Sequence, residues 1–281
     1  MHTTASDGRC SPADQVRRVH AAGVTTFAIT DHDTVAALGE ARAHAERLRL
    51  TLVPGVEVTA VWQGRDVHVL GYWIDPAHPP LAAFLATQRE RRVARVRAIG
   101  AALARAGAAI DVEPLLGQAA AQSGAAVGRP SVARALVTAG HAASVQDAFD
   151  RLLGEGRPGY VSRTGMPPNE VCAIIHAAGG IASLAHPGVT GRDDCLAQWA
   201  SDGLDALEAY HSDHSEPEQA RYLERAQQLG LAVSGGSDFH GDEAMSHRSR
   251  RRVLGGVPLP EPAWRGLLAR RPTHGAPEAR R

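Results

Sequence analysis

The chemistry in this sequence sits where apolar runs end. Phe27-Ala28-Ile29 gives way to Thr30-Asp31-His32-Asp33-Thr34, and Leu52-Val53 to Pro54-Gly55-Val56-Glu57. Ile181 to Ala185 leads into His186-Pro187, and Leu231-Ala232-Val233 into Gly235-Gly236-Ser237-Asp238-Phe239-His240. His68 stands inside an alternating run, and His2 and Asp7 open the chain in His-Thr-Thr-Ala-Ser-Asp-Gly. Imidazole and carboxylate without thiolate suit zinc, manganese or iron. Eight donors exceed what one tetrahedral ion needs, which points to two or three divalent metals with Asp or Glu bridging. Such a centre leaves a net positive pocket, favours phosphate oxygens and lowers the pKa of bound water toward ~7. The expected reaction is hydrolysis of a phosphate ester by metal-bound hydroxide, with no side chain standing out as general acid. His211, after the apolar run Leu204 to Tyr210, either lines this site or packs. His20, His44, His78, His141, His176, His214, His247 and His274 fall in helices, turns or the tail and are assigned no chemistry.

These residues are scattered over the whole chain, so the fold must gather them. Strands are predicted at Val24 to Thr30, Leu50 to Thr59 (interrupted by Pro54-Gly55), Asp66 to Trp73, Gly180 to Ala185, Leu204 to Tyr210 and Leu231 to Ser234. Helices are predicted between them. Ser11-Pro12 opens one to about Ala22, Thr34 one to about Leu48, Pro167-Pro168 one ending at Gly179-Gly180, and Ser215-Glu216-Pro217 one ending at Gly230. Alternation of this kind implies mostly parallel strands, whose C-terminal ends meet on one face of a barrel. From Pro79 to about Gly156 the pattern is helical throughout, with a long helix to about Ala106 and shorter ones at Arg129 to Ala139 and Ser144 to Leu153. A βα connection needs one helix, so this reads as a small helical domain inserted into an α/β barrel. The organisation is barrel at 1–78, helical cap at 79–157, barrel again at 158–258, and an Arg- and Pro-rich tail at 259–281, loosely ordered past Leu268.

Composition narrows the functional classes. The chain has 281 residues, 44 % of them hydrophobic, enough for a sizeable core. Basic and acidic residues balance at 30 each, which argues against a protein that grips long duplex nucleic acid by net charge. Every basic residue is Arg, so lysine Schiff-base chemistry and a Walker A lysine are excluded. Cys10, Cys172 and Cys195 form no CxxC pair and read as reduced thiols of a cytoplasmic protein. No apolar stretch approaches a membrane span.

Thr-Thr-Ala-Ser-Asp-Gly at 3–8, Ile-Thr-Asp-His-Asp-Thr at 29–34, Pro-Gly-Val-Glu-Val at 54–58, His68-Val-Leu-Gly, Ala-His-Pro at 185–187 and Gly-Ser-Asp-Phe-His at 236–240 together resemble the PHP (polymerase and histidinol phosphatase) superfamily. The resemblance is strongest to its branch of 3′,5′-nucleoside bisphosphate phosphatases and 5′-to-3′ exoribonucleases, and runs from residue 2 to about 255. Val127 to Arg134 and Gly159-Tyr160-Val161 look like signatures of that branch. It implies a distorted barrel with a helical cap and two or three divalent ions, typically manganese. It implies His2, Asp7, His32, Glu57, His68, His186, Asp238 and His240 as ligands. The implied reactions are conversion of pAp to AMP and phosphate, and 5′-to-3′ hydrolysis of short 5′-phosphorylated RNA. Other superfamily phosphatases, such as histidinol-phosphate phosphatase, are the alternative.

Arginines of the helical insertion fit such substrates. Arg92 and Arg95 are three apart on the long helix, share a face and can grip a 5′-phosphate, with Arg129 and Arg157 as further candidates. The partners expected are therefore a small nucleotide or short single-stranded RNA, with no membrane, long duplex or obligate protein partner. Two departures from the family pattern stand out. Ser131 replaces the His common in Arg-Pro-His. The family's first strand ends in His-x-His; here His2 matches the second His, while the first His and its strand are absent, and a free ammonium at Met1 would sit beside the metals. The expectation is a true start upstream of Met1. The other reading is a damaged first metal site with an open barrel edge, in a catalytically impaired metal- or RNA-binding protein.

Overall fold

The computed structural model describes residues 1–121, 124–242 and 253–272. His247 and His274 lie outside them. Among the described residues six strands form one sheet in the order β1 to β6: β1 (Thr26–Ile29), β2 (Thr51–Trp62), β3 (Arg65–Tyr72), β4 (Ile181–Leu184), β5 (Ala206–His211) and β6 (Ala232–Gly236). The helices are α1 (Pro12–Ala21), α2 (Leu38–Arg47), α3 (Pro79–Arg105), α4 (Glu113–Ala121), α5 (Arg129–Thr138), α6 (Val145–Ala148), α7 (Pro168–Ala177), α8 (Pro187–Thr190), α9 (Leu196–Ser201), α10 (Glu216–Gln228) and α11 (Glu261–Arg270). A π-helical turn, Phe149–Leu153, extends α6.

Local sequence explains the helix starts. The Ser11 side chain accepts the Asp14 amide at 3.2 Å, and Pro12 occupies a position whose N–H would be unpaired. Ser215 and Glu218 form a reciprocal capping box at the head of α10. Helix α2 begins at Leu38, not Thr34, because the Thr34 hydroxyl caps the turn before it, accepting the Ala36 amide at 3.2 Å. Helix α4 lies between the predicted helices. Its Gly- and Ala-rich sequence carries no apolar stripe to announce it.

The sheet is less parallel than the alternation implied. β1–β2, β4–β5 and β5–β6 are parallel, but β2–β3 and β3–β4 are antiparallel. Gln63 and Gly64 both have positive φ, 50° and 78°, the backbone of a two-residue hairpin turn matched to strand twist. Pro54-Gly55 does not interrupt β2. Thr51 to Pro54 pair with β1, and Gly55 onward pairs with β3. A Cβ on Gly55 would lie 2.9 Å from the Ile29 carbonyl, so only glycine fits where β2 changes partner.

The main apolar core packs β2 to β5 against α7, α9, α10 and the first turns of α3, with Val58, Val69, Leu81, Ile175 and Leu207 fully buried. A separate cluster of Val96, Ile99, Leu103, Val132, Leu136 and Leu153 holds the helical unit together. Helix α3 therefore seats one end in the sheet core and the other in the helical core. Each fully buried Leu or Ile contributes roughly 1.5–3 kcal/mol by leaving water. Strands β1 and β6 are the sheet edges. A cavity of about 590 Å³ opens between them, from Glu57, His186 and Asp238 at one end to Trp73 and Trp264 at the other.

Candidate metal centre

The polar cluster forms at the concave mouth of the sheet. His32 follows β1, His186 follows β4, His211 ends β5, and Asp238 and His240 follow β6. Glu57 and His68 come from inside strands, because the β2–β3 hairpin runs past the rim. Backbone bonds register the loop after β1 against β2: the Asp33 amide donates to the Glu57 carbonyl at 2.9 Å, and the Glu57 amide to the Asp31 carbonyl at 3.2 Å. Residues 1–9 are clamped from both edges, with the Thr30 amide donating to the Met1 carbonyl at 3.0 Å and the His2 amide to the Phe239 carbonyl at 2.9 Å. The Met1 ammonium donates to Thr30 Oγ1 at 3.1 Å. Buried Asp31 accepts the Thr3 amide and hydroxyl, both at 2.7 Å, and the Ser6 hydroxyl at 2.5 Å, which aims the loop carrying Asp7. His186 and Asp238 have φ of 29° and 48°. Such backbone costs about 1–3 kcal/mol per residue and is typical of sites where side-chain aim outranks local comfort.

The residues expected from sequence converge. His2, Asp7, His32 and His240 form one group of donor atoms within 4.8 Å of one another; His32, Glu57 and His68 form a second; His2, Glu57 and Asp238 form a third. His186 Nε2 joins at 3.3 Å from Glu57 Oε1. Three more imidazoles point at the same carboxylate: His68 Nδ1 lies 2.6 Å, His2 Nε2 3.0 Å and His32 Nδ1 3.8 Å from Glu57 oxygens. All three nitrogens are buried, and among the described residues none makes a hydrogen bond. Buried polar nitrogens without hydrogen bonds are costly. Lone pairs converging on a carboxylate shared between groups are what a bridged multi-ion centre requires, so the residues fit divalent metals.

Electrostatics agree. Burial works against a charged His2, but Asp238 and Glu57 outweigh it and push its pKa up to about 10. Burial likewise opposes a charged His186, and Glu57 and Asp238 carry it up to about 8. At His32 burial wins and drives the pKa down to about 3. Burial would raise Asp7 and Glu57, yet the surrounding imidazoles hold both well below the usual carboxylate range. His211 faces the cluster, with Nε2 3.8 Å from Asp238 Oδ2. Its Nδ1 accepts the Asp213 amide at 3.1 Å, so a neutral His211 carries its proton on the site-facing Nε2. His214 is occupied structurally, bonded to the Ala209 carbonyl and the Gly188 amide.

Beside the His68 end lies a knot of arginines. Asp66, on the same face of β3 as His68, meets Arg129 at 3.3 Å, Arg163 at 3.4 Å and Arg95 at 3.5 Å. Asp33 meets Arg92 at 2.6 Å and Arg163 at 3.7 Å. Four guanidiniums thus face two carboxylates, and burial together with Arg92 lowers the pKa of Arg163. Arg157 is exposed on the turn after α6 and stands outside these pairs. Sequence reading missed Asp33, Asp66, Arg163 and the buried Glu208, whose Oε2 accepts the His186 amide at 2.8 Å. Asp66, two residues from His68 in a strand, carried a usable signal; Arg163 carried none.

The PHP domain family pattern matches residues 1–151. The 5′-3′ exoribonuclease Rnm of Salmonella typhimurium is 41 % identical over 249 residues, covering 85 % of this chain and 83 % of its own length. The 3′,5′-nucleoside bisphosphate phosphatase of Chromobacterium violaceum is 34 % identical over 279 residues, covering 96 % and 95 %. Among solved structures, a protein from Bifidobacterium adolescentis described as a metal-dependent phosphoesterase superposes with a TM-score of 0.84 at 31 % identity, covering 95 % of this chain and 93 % of its own.

Proposed function

This chain belongs to the PHP family, and on that basis we propose that it hydrolyses 3′,5′-nucleoside bisphosphates, pAp to AMP and phosphate, and short 5′-phosphorylated RNA from the 5′ end. The carrying observation is the convergence of buried, unbonded imidazole nitrogens on Glu57 beside an arginine knot with more cations than carboxylates. In this reading His2, Asp7, His32, Glu57, His68, His186, Asp238 and His240 hold two or three divalent ions, manganese first, with zinc or iron as alternatives. Such ions supply Lewis acidity toward phosphoryl oxygens and acidify water to a pKa near ~7.

The protein's own groups do the rest. Arg95, Arg129 and Arg163, spaced by Asp66, take the substrate's 5′-phosphate, and the helical unit acts as the cap that carries the first two. Arg92 spends three donors on Asp33, Thr59 and the Val127 carbonyl and so positions the loop behind His32. His211 holds its proton at Nε2 toward Asp238. The partners are nucleotides or short single strands in the cytoplasm. Among the described residues no helix is long and apolar enough to cross a membrane.

The test is turnover by manganese-loaded protein of pAp, a 5′-phosphorylated RNA and histidinol phosphate. We expect kcat/KM for pAp to exceed that for histidinol phosphate by ~100-fold, since a site with buried phosphate-binding groups rejects a substrate that leaves them unpaired. Histidinol phosphate as the better substrate would defeat the reading.

A further inference from the structure

The metal cluster has two ends, and only one is occupied by the arginine knot. At the other end, beyond Asp7 and His240, the helical unit opens a groove of about 680 Å³ between α4 and α5. That volume suits a nucleotide-sized occupant. Ser6 and Gly8, on either side of Asp7, form its inner wall. Ala109, Ala135 and Thr138 line it with small side chains and Ile110, Pro114 and Leu115 with larger apolar ones that a flat ring can pack on, while the Asp111 carboxylate in the lining accepts the Glu113 amide at 3.0 Å. Arg134 projects from α5 at the boundary, with Nη1 3.4 Å from the Asp7 carbonyl and Nη2 3.2 Å from Ser131 Oγ. Among the described residues its hydrogen bonds go to a carbonyl and a hydroxyl and none to a carboxylate, and burial, with Arg9 nearby, lowers its pKa against the pull of Asp7. The groove is tied to the ligand loop by the Ala126 amide, which donates to the Ala5 carbonyl at 2.8 Å.

This geometry gives the substrate a direction. If the first nucleotide's 5′-phosphate lies on the Arg95–Arg129–Arg163 side, its 3′-phosphate reaches the carboxylate–imidazole cluster, and whatever follows must leave past Asp7. We propose that the α4–α5 groove binds the nucleotide on the 3′ side of the scissile phosphate, its base among the small side chains and its next phosphodiester against Arg134. Hydrolysis adds water across the P–O3′ bond: the 3′-oxygen of the first nucleotide departs with a proton, and the phosphate stays on the 5′-oxygen of the next. A chain so held keeps a fresh 5′-phosphate close to the site. A bisphosphonucleotide has nothing to place there, so the groove separates action on a chain from action on pAp. The inference rests on the function proposed above.

The experiment compares manganese-loaded wild type, Arg134→Ala and Thr138→Trp on pAp and on the 5′-phosphorylated trinucleotide pApApA. Thr138 is exposed on α5 and its replacement fills the groove without touching the metal cluster. For both variants the ratio of kcat/KM for the trinucleotide to kcat/KM for pAp falls about tenfold or more, mainly through KM, and Arg134→Lys restores part of it. The wild-type KM for the trinucleotide also rises more steeply with salt than that for pAp. A ratio unchanged in both variants, or wild type that cleaves pAp but not the trinucleotide, overturns the inference while leaving phosphatase activity standing. Wild type inactive on both removes the underlying functional reading as well.

Discussion

Replacing Arg92 with Met strands a carboxylate. Asp33 is fully buried, and its Oδ2 receives Arg92 Nε at 2.6 Å while its Oδ1 receives the Thr59 amide at 2.8 Å. Arg92 also donates to Thr59 Oγ1 at 2.9 Å and to the Val127 carbonyl at 3.4 Å, so one side chain joins the loop behind His32, strand β2 and the approach to α5. Removing one member of a buried ion pair costs about 3–5 kcal/mol, because the other charge stays behind. Arg163, 3.7 Å from the same oxygen, compensates in part, so the low end, about 3 kcal/mol, is expected. At about 2–4 °C per kcal/mol for a chain of this size, the melting temperature falls on the order of 6–12 °C. Adding Asp33→Asn recovers most of the loss. Asn also tolerates the φ of 52° found there. The folded-state pKa of Asp33 is lowered: burial would raise it, but Arg92 and Arg163 prevail. Its contribution is therefore complete above the ordinary value of 3.8 and lost as pH falls through the lower folded value. Thermal unfolding by circular dichroism on wild type and both variants at pH 7 and pH 3 measures this. A loss below about 1 kcal/mol, or a double variant no better than the single, refutes the argument.

Three further outcomes are expected. Gly8→Ala drives a Cβ into the His2 carbonyl, so the Asp7 loop must shift; manganese affinity by titration calorimetry drops by at least ~10-fold, and an unchanged affinity would show that the loop does not aim Asp7. Because His2 and His186 are pushed up to about 10 and 8 and must lose protons to act as ligands, loading the metal-free protein releases protons, and affinity rises between pH 6 and pH 8. Binding heats that do not vary with the ionisation enthalpy of the buffer would contradict it. His176 bonds Asp205 at 2.7 Å, chiefly through which its pKa is raised, with burial opposing. The pair's contribution is full below the ordinary histidine value of 6.5 and fades as pH rises through the folded value, so the melting gap to His176→Gln is wider at pH 5.5 than at pH 9. The pair is exposed, so the gap corresponds to at most about 1 kcal/mol.

Residue type carries the metal chemistry in the linear chain. Imidazoles and carboxylates that follow apolar runs are conspicuous because a strand end is a poor place to leave a polar group without a task. Helix starts at Ser11 and Ser215 are equally plain, since a cap involves only neighbouring residues. The hairpin at Gln63-Gly64 and the change of partner at Pro54-Gly55 were written locally too, yet alternation alone pointed to parallel strands. Other features exist only in three dimensions. Among 30 basic residues of a single type, nothing local distinguishes buried Arg163, which bridges Asp33 and Asp66, from exposed Arg157. Nor does any local pattern reveal that Arg92 is already committed to a carboxylate while Arg134 faces an open groove. Ligand chemistry is intrinsic to a side chain and can be read one residue at a time. Whether a charge is spent on a neighbour or left to meet a substrate depends on which distant segments pack against it, and only the folded chain decides that.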